Sequence, residues 1–304
     1  MDITYCKIAG GNFGDDLNML LWSRLFPGLQ AMASESSFYG IGTLLDGPHA
    51  PALRKVVLGT GLGEQGAARP DPSWDFYWVR GPLTAREFGL SDSLGVGDSA
   101  LLWPGLESTG HTPKNSPVGL IPHYQTWDSF DWPEVARQAG MVAINPRQAP
   151  QIVIDQMRQC SRILTESLHG AICADAMGID WAPCVMAHRF NDFKWRDWLA
   201  TIDREFAPLV LHKPLLRSVT VGKVVGNYLA RMTRYKADTR RPDLRALGRA
   251  SRQDVGEVSA ALRSYARHAA NFRCSSQIHL ESQRQRMRRL CETFAVRHQL
   301  QFNP

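Results

Sequence analysis

The amino-acid sequence predicts an α/β protein in which two Rossmann-like domains face a cleft and a basic helical tail follows them. Three observations support this fold class. From residue 3 to about residue 200, short apolar runs typical of β-strands alternate with segments of helical periodicity. Between Trp103 and Pro117, a run rich in Pro, Gly, Ser, Thr and Asn interrupts the alternation. After residue 230, two long amphipathic segments without proline carry many arginines.

The alternation predicts strands and helices in a definite order. The candidate strands are 3–8, 38–42, 55–60, 76–81, 93–98, 118–123, 141–145, 161–166 and 182–187. The candidate helices are 15–26, 82–90, 132–140, 150–160, 168–178 and 193–202. Pro82 begins one of these helices and Gly178 ends another, as proline and glycine commonly do. Because parallel strands need crossover helices, each half is expected to consist of βαβ units.

The linker and the change in composition place the predicted domains at 1–115, 116–230 and 231–304. The last of these contains 16 Lys or Arg and 6 Asp or Glu, so the preceding part has a net charge of −4 within a total of +6. The segments 251–273 and 279–300 are predicted to be helices with one apolar and one cationic face. Such a surface suits an anionic membrane or glycolipid. The alternative is that these helices pack on the body with their arginines in water.

Composition excludes several other classes. With 44% hydrophobic and 21% charged residues, the chain is neither disordered nor fibrous. It has no apolar run of the roughly 20 residues that a membrane helix needs and no leader-like N-terminus, which predicts a cytoplasmic protein whose basic tail can attach it peripherally to the inner membrane. Six cysteines without a C-x-x-C pair predict neither disulfides nor a zinc site, and no metal is expected. A nucleic-acid partner is not expected either, because the tail has few aromatic residues and no known binding module.

Two glycine-rich turns follow predicted strands. In GGNFGDDLN (10–18), the glycines let backbone N–H groups approach an anion or a sugar, and Asn12 and Asp15 are candidates to hold sugar hydroxyls or to cap the helix. For Asp16, capping is the preferred interpretation. The second turn, LGTGLGEQG (58–66), fits close approach of a ligand and a tight strand-to-helix turn equally well.

Charged and titratable residues follow predicted strands in both halves. Arg80 offers a guanidinium fork to a carboxylate or phosphate, with a structural salt bridge as the alternative. The neighbouring segment GVGDSALL forms a second crevice-type turn and carries Asp98. In the second half, His123 ends one strand, and Glu166 and His169 lie where another strand joins a buried helix. A lone histidine is usually structural, but two at corresponding strand ends are candidates for an acid/base pair near neutral pH.

The segment HRFNDFKWRDWL (188–199) concentrates cations and indole rings. Arg189 and Lys194 suit an anion, and Trp195 suits the face of a sugar. Packing of the tryptophans against the core fits the same pattern.

Taken together, GNFGDDLN, WVRGPLTAREFGL, GVGDSALL, IPHY, ESLHGAICADAMGI and FKWRDWL resemble the polysaccharide pyruvyl transferase family, and within it the branch that acts on bacterial exopolysaccharides such as succinoglycan. The similarity runs from about residue 8 to residue 200 and does not cover the tail. It implies a two-domain fold like that of GT-B glycosyltransferases, with phosphoenolpyruvate as co-substrate and neither metal nor cofactor. The implied product is a pyruvate ketal, expected to be 4,6-linked, on a sugar of a lipid-linked oligosaccharide or growing polysaccharide.

The resemblance also implies roles for individual residues. Many members have Ser-Arg-Leu-His-Gly where this chain has ESLHG, so Ser167 replaces a cation that could hold the donor phosphate. Lys194 or Arg189 could supply the missing charge. The expected catalytic residues are His169 first and His123 second as acid/base groups, with Arg80 beside them. The other expected roles are donor binding by Arg80, Lys194, Arg189 and Ser167, and acceptor binding by Asn12, Asp15, Glu166 and Trp195.

Two other functions remain open at the level of sequence. A glycosyltransferase of similar fold would bind a nucleotide sugar instead of phosphoenolpyruvate. A non-catalytic subunit of polysaccharide assembly at the membrane surface would bind lipid without needing Arg80 or His169. A nicotinamide dehydrogenase is disfavoured, because neither glycine turn has the G-x-G-x-x-G spacing.

Overall fold

The protein contains two parallel β-sheets, which confirms the predicted α/β class. In the computed structural model of the chain, the described residues are 1–32, 36–46, 54–63, 70–106, 116–128, 130–186, 190–211 and 252–304. Both predicted domain boundaries, at 115 and 230, lie outside these ranges, so the boundaries and the GT-B arrangement stay predictions.

The first sheet has four parallel strands in the order in which they occur along the chain. They are β1 (Asp2–Thr4), β2 (Ser36–Tyr39), β3 (Arg54–Leu58) and β4 (Trp74–Trp78). The register pairs Phe38 of β2 with Ile3 on one side and Val56 on the other, so apolar side chains of neighbouring strands lie abreast. Each new strand of this sheet is added on the same side of the one before it. In a doubly wound Rossmann sheet, by contrast, the order of the strands reverses at a central strand.

The second sheet has five parallel strands in the order β6-β5-β7-β8-β9. They are β5 (Val118–Ile121), β6 (Met141–Ala143), β7 (Arg162–Thr165), β8 (Trp181–Val185) and β9 (Leu209–Val210). The chain leaves β5 in one direction to form β6 and then crosses back to form β7 on the other side. Open parallel sheets bind ligands at the carboxyl ends of the two strands that flank such a reversal, here β5 and β7.

Nine α-helices lie within the described ranges. They are α1 (Phe13–Leu25), α2 (Pro82–Glu87), α3 (Tyr124–Trp127), α4 (Trp132–Ala139), α5 (Pro150–Arg158), α6 (Leu168–Ala176), α7 (Phe193–Leu199), α8 (Arg252–Arg267) and α9 (Gln277–His298). Local chemistry sets several of their ends. The Asp131 carboxylate accepts from the Glu134 N–H at the start of α4, and Gly140, with φ 72°, ends that helix. The Asp16 carboxylate accepts the Asn12 N–H at the start of α1, so the expected capping by Asp16 is confirmed.

The predicted strand at 93–98 is wrong. Residues Asp92–Leu94 form a 3-10 turn, and the segment adjoins the end of β4 through a bridge between Val79 and Gly95 and a hydrogen bond from the Trp78 indole to the Gly97 carbonyl. Gly97 has φ 144°, which interrupts regular strand geometry. The other predicted strands and helices of the first 200 residues are present, most of them shorter than predicted. The sequence did not reveal β9 or α3, which are too short to show a periodic pattern.

The C-terminal helices α8 and α9 pack on the body of the protein. On α8, Val258 and Leu262 are buried with the residues of α4, and the Ser259 hydroxyl donates to the Val135 carbonyl. On α9, Phe294 makes edge-on ring contacts with Phe26 and Phe38 of the first half. This arrangement is the alternative that the sequence left open for the basic segments.

Membrane contact through the exposed arginines of these two helices remains a prediction. Within the described ranges, no helix has the length and apolar character needed to cross a bilayer.

A buried ion pair fastens α7 to the end of β4. The Arg80 Nε donates to the Asp197 carboxylate at 3.1 Å, and the two side chains are 1% and 0% exposed. The same carboxylate accepts from the N–H of Thr84, at 2.8 Å, and from its hydroxyl, at 2.7 Å. A Cβ at Gly81 would clash with the Asp197 carbonyl, so glycine permits the close approach. The helix between β8 and β9 of the second sheet is thereby held against the first sheet.

We expect Asp197→Ala to destabilise the protein strongly, because it leaves the Arg80 guanidinium buried without its counter-charge. The free energy of unfolding should fall by about 3–5 kcal/mol, measured by urea denaturation. Asp192→Ala, just before the first residue of α7, is the matched control, since Asp192 and its partner Arg196 are exposed. Equal stability of both variants would show that the buried pair does not hold α7 in place.

Candidate functional site

Several of the predicted residues converge at the carboxyl ends of the strands flanking the reversal. His123 follows β5, and Glu166 and His169 follow β7. Asp15 lies at the start of α1, and Lys194 lies in the first turn of α7. The Lys194 ammonium interacts electrostatically with Asp15 and Glu166 and with both histidines. These residues from four parts of the chain therefore form one cluster, which is the candidate site.

Glu166, at the end of β7, forms hydrogen bonds to residues at the ends of β5 and β8. Its Oε2 accepts from the His123 N–H at 3.0 Å, and its Oε1 accepts from the Met186 N–H at 2.8 Å. Its own N–H donates to the carbonyl of Ile121 at the end of β5. The side chain is 1% exposed, so Glu166 shapes the floor of the site. Acceptor binding by Glu166 stays a prediction.

His123 is a neutral base at physiological pH. Burial, followed by the positive charge of Lys194, lowers the pKa of His123 to about 3. Its Nδ1 accepts from the Gln125 N–H at the start of α3, at 3.4 Å. That contact leaves Nε2 to carry the ring proton. His123 can therefore donate a hydrogen bond or accept a proton, but the resting imidazole is not an acid.

His169 lies in the first turn of α6, and its side chain is 12% exposed. Burial, followed by the charges of Lys194 and Arg80, lowers the pKa of His169 to about 3. Its Nε2 lies 3.8 Å from Oδ2 of Asp98. On its other side the ring contacts the start of α1, where a Cβ on Gly14 would clash with Nδ1.

Lys194 places a cation near the two histidines, and Asp15 places a titratable carboxyl group there. Burial, followed by the charge of Arg80, lowers the pKa of Lys194 to about 8, while Asp15 and Glu166 oppose this shift. Burial raises the pKa of Asp15 to about 7, against a hydrogen bond of 2.6 Å from the Asn12 amide. Asp15 therefore exchanges its proton near neutral pH, and Lys194 is charged there. Asn12 touches the site through Asp15.

Arg80 directs its guanidinium into the protein. Besides the pair with Asp197, it donates to the carbonyls of Gly42 and Leu62 and to the Thr43 hydroxyl. A Cβ at Gly61 would lie 2.6 Å from its Cζ, so the second glycine turn packs directly on it. These contacts favour the structural salt bridge over direct donor binding. Arg80 contributes its positive charge to the potential of the site.

Three further predicted residues differ in their outcome. The Ser167 hydroxyl accepts from the Gly170 N–H at 3.3 Å and caps α6. Trp195 is 0% exposed and lies against Trp181 and Phe206, so it presents no face to a sugar and core packing is the observed alternative. Arg189 lies outside the described residues.

The sequence did not identify Arg147 as part of this region. Its guanidinium pairs with Asp128 and also donates to the carbonyls of Ala9 and Gly11 in the first glycine turn. A Cβ at Gly11, which has φ +87°, would clash with the Arg147 carbonyl. The loop after β6 therefore holds the turn that leads into α1. The position of Arg147 just after a predicted strand was the feature of the sequence that could have identified it.

Asp98 was noted in the sequence as a strand-end residue without a role. The structure buries it completely and places it beside His169. Within the described ranges, no group of three or more His, Cys, Asp or Glu side chains could hold a metal ion. The chemistry that the described cluster offers is proton transfer next to a buried positive charge.

Fold and site together define an α/β protein with a cluster of titratable side chains at the carboxyl ends of parallel strands. Residues 10–185 match the sequence model of the polysaccharide pyruvyl transferase family, and the chain belongs to that family. The chain is also 36% identical over 209 residues to "Succinoglycan biosynthesis protein ExoV" of Rhizobium meliloti (strain 1021). That similarity covers 67% of this chain and 66% of the relative, just under two thirds of its length. No solved structure matches the chain significantly.

We expect Gly14→Ala to displace His169, because the added methyl group would occupy the space of Nδ1. The ring signals of His169 in long-range ¹H–¹⁵N NMR spectra should shift. Gly256→Ala in α8 is the matched control, since nothing lies within 4 Å of a Cβ there. Alanine should stabilise that exposed helix position by about 1 kcal/mol. His169 signals that stay unchanged in Gly14→Ala would contradict the close contact.

Proposed function

We propose that this protein transfers the pyruvyl group of phosphoenolpyruvate to a sugar of a lipid-linked or growing bacterial exopolysaccharide. The product is a ketal that bridges two hydroxyls of one sugar, in 4,6-linkage. Family membership and the name of the succinoglycan relative support the reaction class. The observation in this chain that supports it most is the convergence of Asp15, His123, His169 and Lys194 at the strand ends.

The reaction requires two proton movements at this cluster. The methylene carbon of the enol phosphate gains a proton and becomes a methyl group, which leaves cationic character on the central carbon. One sugar hydroxyl attacks that carbon and gives up its proton. The second hydroxyl then replaces the phosphate, which leaves with the second proton. An acid/base group and a fixed positive charge are therefore needed side by side.

The residues of the site can supply the acid/base groups and the positive charge. His169 exchanges the proton with the methylene carbon and the attacking hydroxyl. The phosphate and carboxylate of the donor bring negative charge to His169, which favours its protonated form. Lys194 binds the donor anion and takes the place of the cation that Ser167 replaces in the family motif. Asp15 and His123 hold the acceptor hydroxyls and serve as the second acid/base groups.

Calorimetric titration with phosphoenolpyruvate tests donor binding. We expect the wild type to bind it and Lys194→Met to bind it about tenfold to a hundredfold more weakly, because a charge-assisted contact is lost. Lys7→Met, at an exposed lysine, is the matched control and should bind like the wild type. A nucleotide sugar is titrated in parallel. Binding of the nucleotide sugar alone would reject the pyruvyl donor and favour a glycosyltransferase.

Donor affinity should also fall as the pH rises above about 8. Lys194 carries its positive charge below its pKa of about 8 and loses it above. Each further pH unit should then weaken binding by up to about tenfold, since the ammonium must be recharged before it holds the anion. Titrations at pH 7, 8 and 9 measure this slope, and it should disappear in Lys194→Met. A slope that persists in the variant would assign the titration to another group.

Turnover tests the role of His169 directly. The assay measures phosphate released from phosphoenolpyruvate in the presence of a membrane extract that contains lipid-linked oligosaccharides. We expect His169→Ala to lower the rate by about 100-fold or more. A rate close to that of the wild type would remove His169 from the chemistry.

A further inference from the structure

Asp98 is held rigidly at its position. Its Oδ1 accepts from the Ala100 N–H at 2.9 Å. On either side of it, the Trp78 indole donates to the Gly97 carbonyl at 3.2 Å, and the Ser99 hydroxyl donates to the Leu58 carbonyl. The last two contacts come from β4 and β3 of the first sheet, so the carboxylate has little freedom to turn.

Two buried polar atoms without partners face each other at this point. Asp98 Oδ2 and His169 Nε2 are both buried, and neither has a hydrogen bond in the described part of the chain. They lie 3.8 Å apart, which is longer than a hydrogen bond. Buried polar atoms are nearly always paired, and an orphaned pair in a native fold needs an explanation. Hydrogen bonds that act in catalysis are often long before the substrate binds.

The orientation of the ring assigns different tasks to its two nitrogens. Nε2 points to Asp98, at the side away from solvent. Nδ1 lies at Gly14, at the start of the helix that carries Asp15. Unlike Nε2, Nδ1 is not among the buried atoms without a partner, and the His169 side chain is 12% exposed, so Nδ1 is the nitrogen left to meet a substrate.

We propose that Asp98 is the positioning residue of His169: its Oδ2 accepts the Nε2–H of the imidazole and so keeps the lone pair of Nδ1 available for proton transfer. In the protonated ring that the bound donor favours, both nitrogens carry hydrogen, and the carboxylate stabilises this imidazolium. Nδ1 gives its proton to the methylene carbon, and its lone pair then takes the proton of the attacking hydroxyl. Asp98 itself neither gains nor loses a proton in this cycle. The kinetic part of this inference rests on the proposed function.

The surroundings of Asp98 keep it available as an acceptor. Burial raises the pKa of Asp98 to about 6, with the Ala100 N–H and the charge of Arg80 acting in the opposite direction. The carboxyl group is therefore mostly ionised at pH 7.5. His169 is neutral at that pH, so the contact joins a carboxylate to a neutral N–H.

The tautomer of His169 tests the proposal without any substrate. In long-range ¹H–¹⁵N spectra of the histidine-labelled protein at pH 7.5, we expect His169 to carry its proton on Nε2. Its signals are assigned by their loss in His169→Ala. A wild type with the proton on Nδ1 would overturn the proposal, whether or not Asp98→Asn folds.

Asp98→Asn reverses the direction of the contact. The Ala100 N–H needs an acceptor and so fixes the amide oxygen of the new side chain at the position of Oδ1. The amide NH₂ then faces Nε2, which becomes an acceptor, and the ring proton moves to Nδ1. We expect this tautomer shift together with a fall in kcat of about 100-fold or more, while the KM for phosphoenolpyruvate stays within about twofold. Asp92→Asn, at an exposed carboxylate paired with Arg86, is the control and should change neither quantity.

The two readouts separate the possible failures. An unchanged tautomer and an unchanged kcat in Asp98→Asn would overturn the positioning role while pyruvyl transfer stands. If the wild type releases no phosphate with any acceptor, the proposed function fails, and the tautomer still decides whether Asp98 positions His169.

Discussion

The buried ion pair between Arg80 and Asp197 is the constraint on which the site depends. Lys194 and Asp197 are three residues apart on α7 and so project from the same side of that helix. Fixing Asp197 against the end of β4 therefore also fixes the ammonium of Lys194 among the strand ends of the second sheet. A pair buried to this degree needs all its hydrogen-bonding groups satisfied, and the loops around Gly42 and Leu62, together with Thr84 of α2, supply the partners. The same contacts that stabilise the fold thus set the geometry of the chemistry.

The second determinant is the exclusion of water. Two imidazoles are held neutral because they are buried near fixed cations, whereas two carboxyl groups take up protons more readily than in water. Their effects on the pH dependence of stability oppose each other. The unfolded chain binds more protons at the histidines as pH falls below about 6.5, and the folded chain binds more at Asp15 and Asp98. The folded arrangement of the site can be retained over a range of pH because the two histidines and the two carboxyl groups shift the stability in opposite directions.

Much of this could be predicted from the sequence, and the remainder has identifiable physical reasons. His123 and His169 were found because strand ends and helix starts are local patterns, and the carboxyl ends of parallel strands meet at one edge of a sheet. The inward direction of Arg80 was not predictable, since its partner Asp197 lies more than a hundred residues away. The sequence left open whether Trp195 faces a sugar or the core, because an amphipathic pattern does not tell which face of a short helix is covered. A role for Asp98 could not be predicted, because only the folded structure shows that it lies beside His169.

The position of α9 has a consequence for the order of synthesis. Phe294 closes the core of the first sheet against Phe26 and Phe38, and the Asn303 N–H donates to the carbonyl of Leu25. The strands of that sheet are made well before α9, and the part of their apolar face that α9 covers is open in the interval. The nascent chain must therefore keep these strands from aggregating until α9 has emerged. The helix that completes the core of the first sheet is thus made long after the sheet itself.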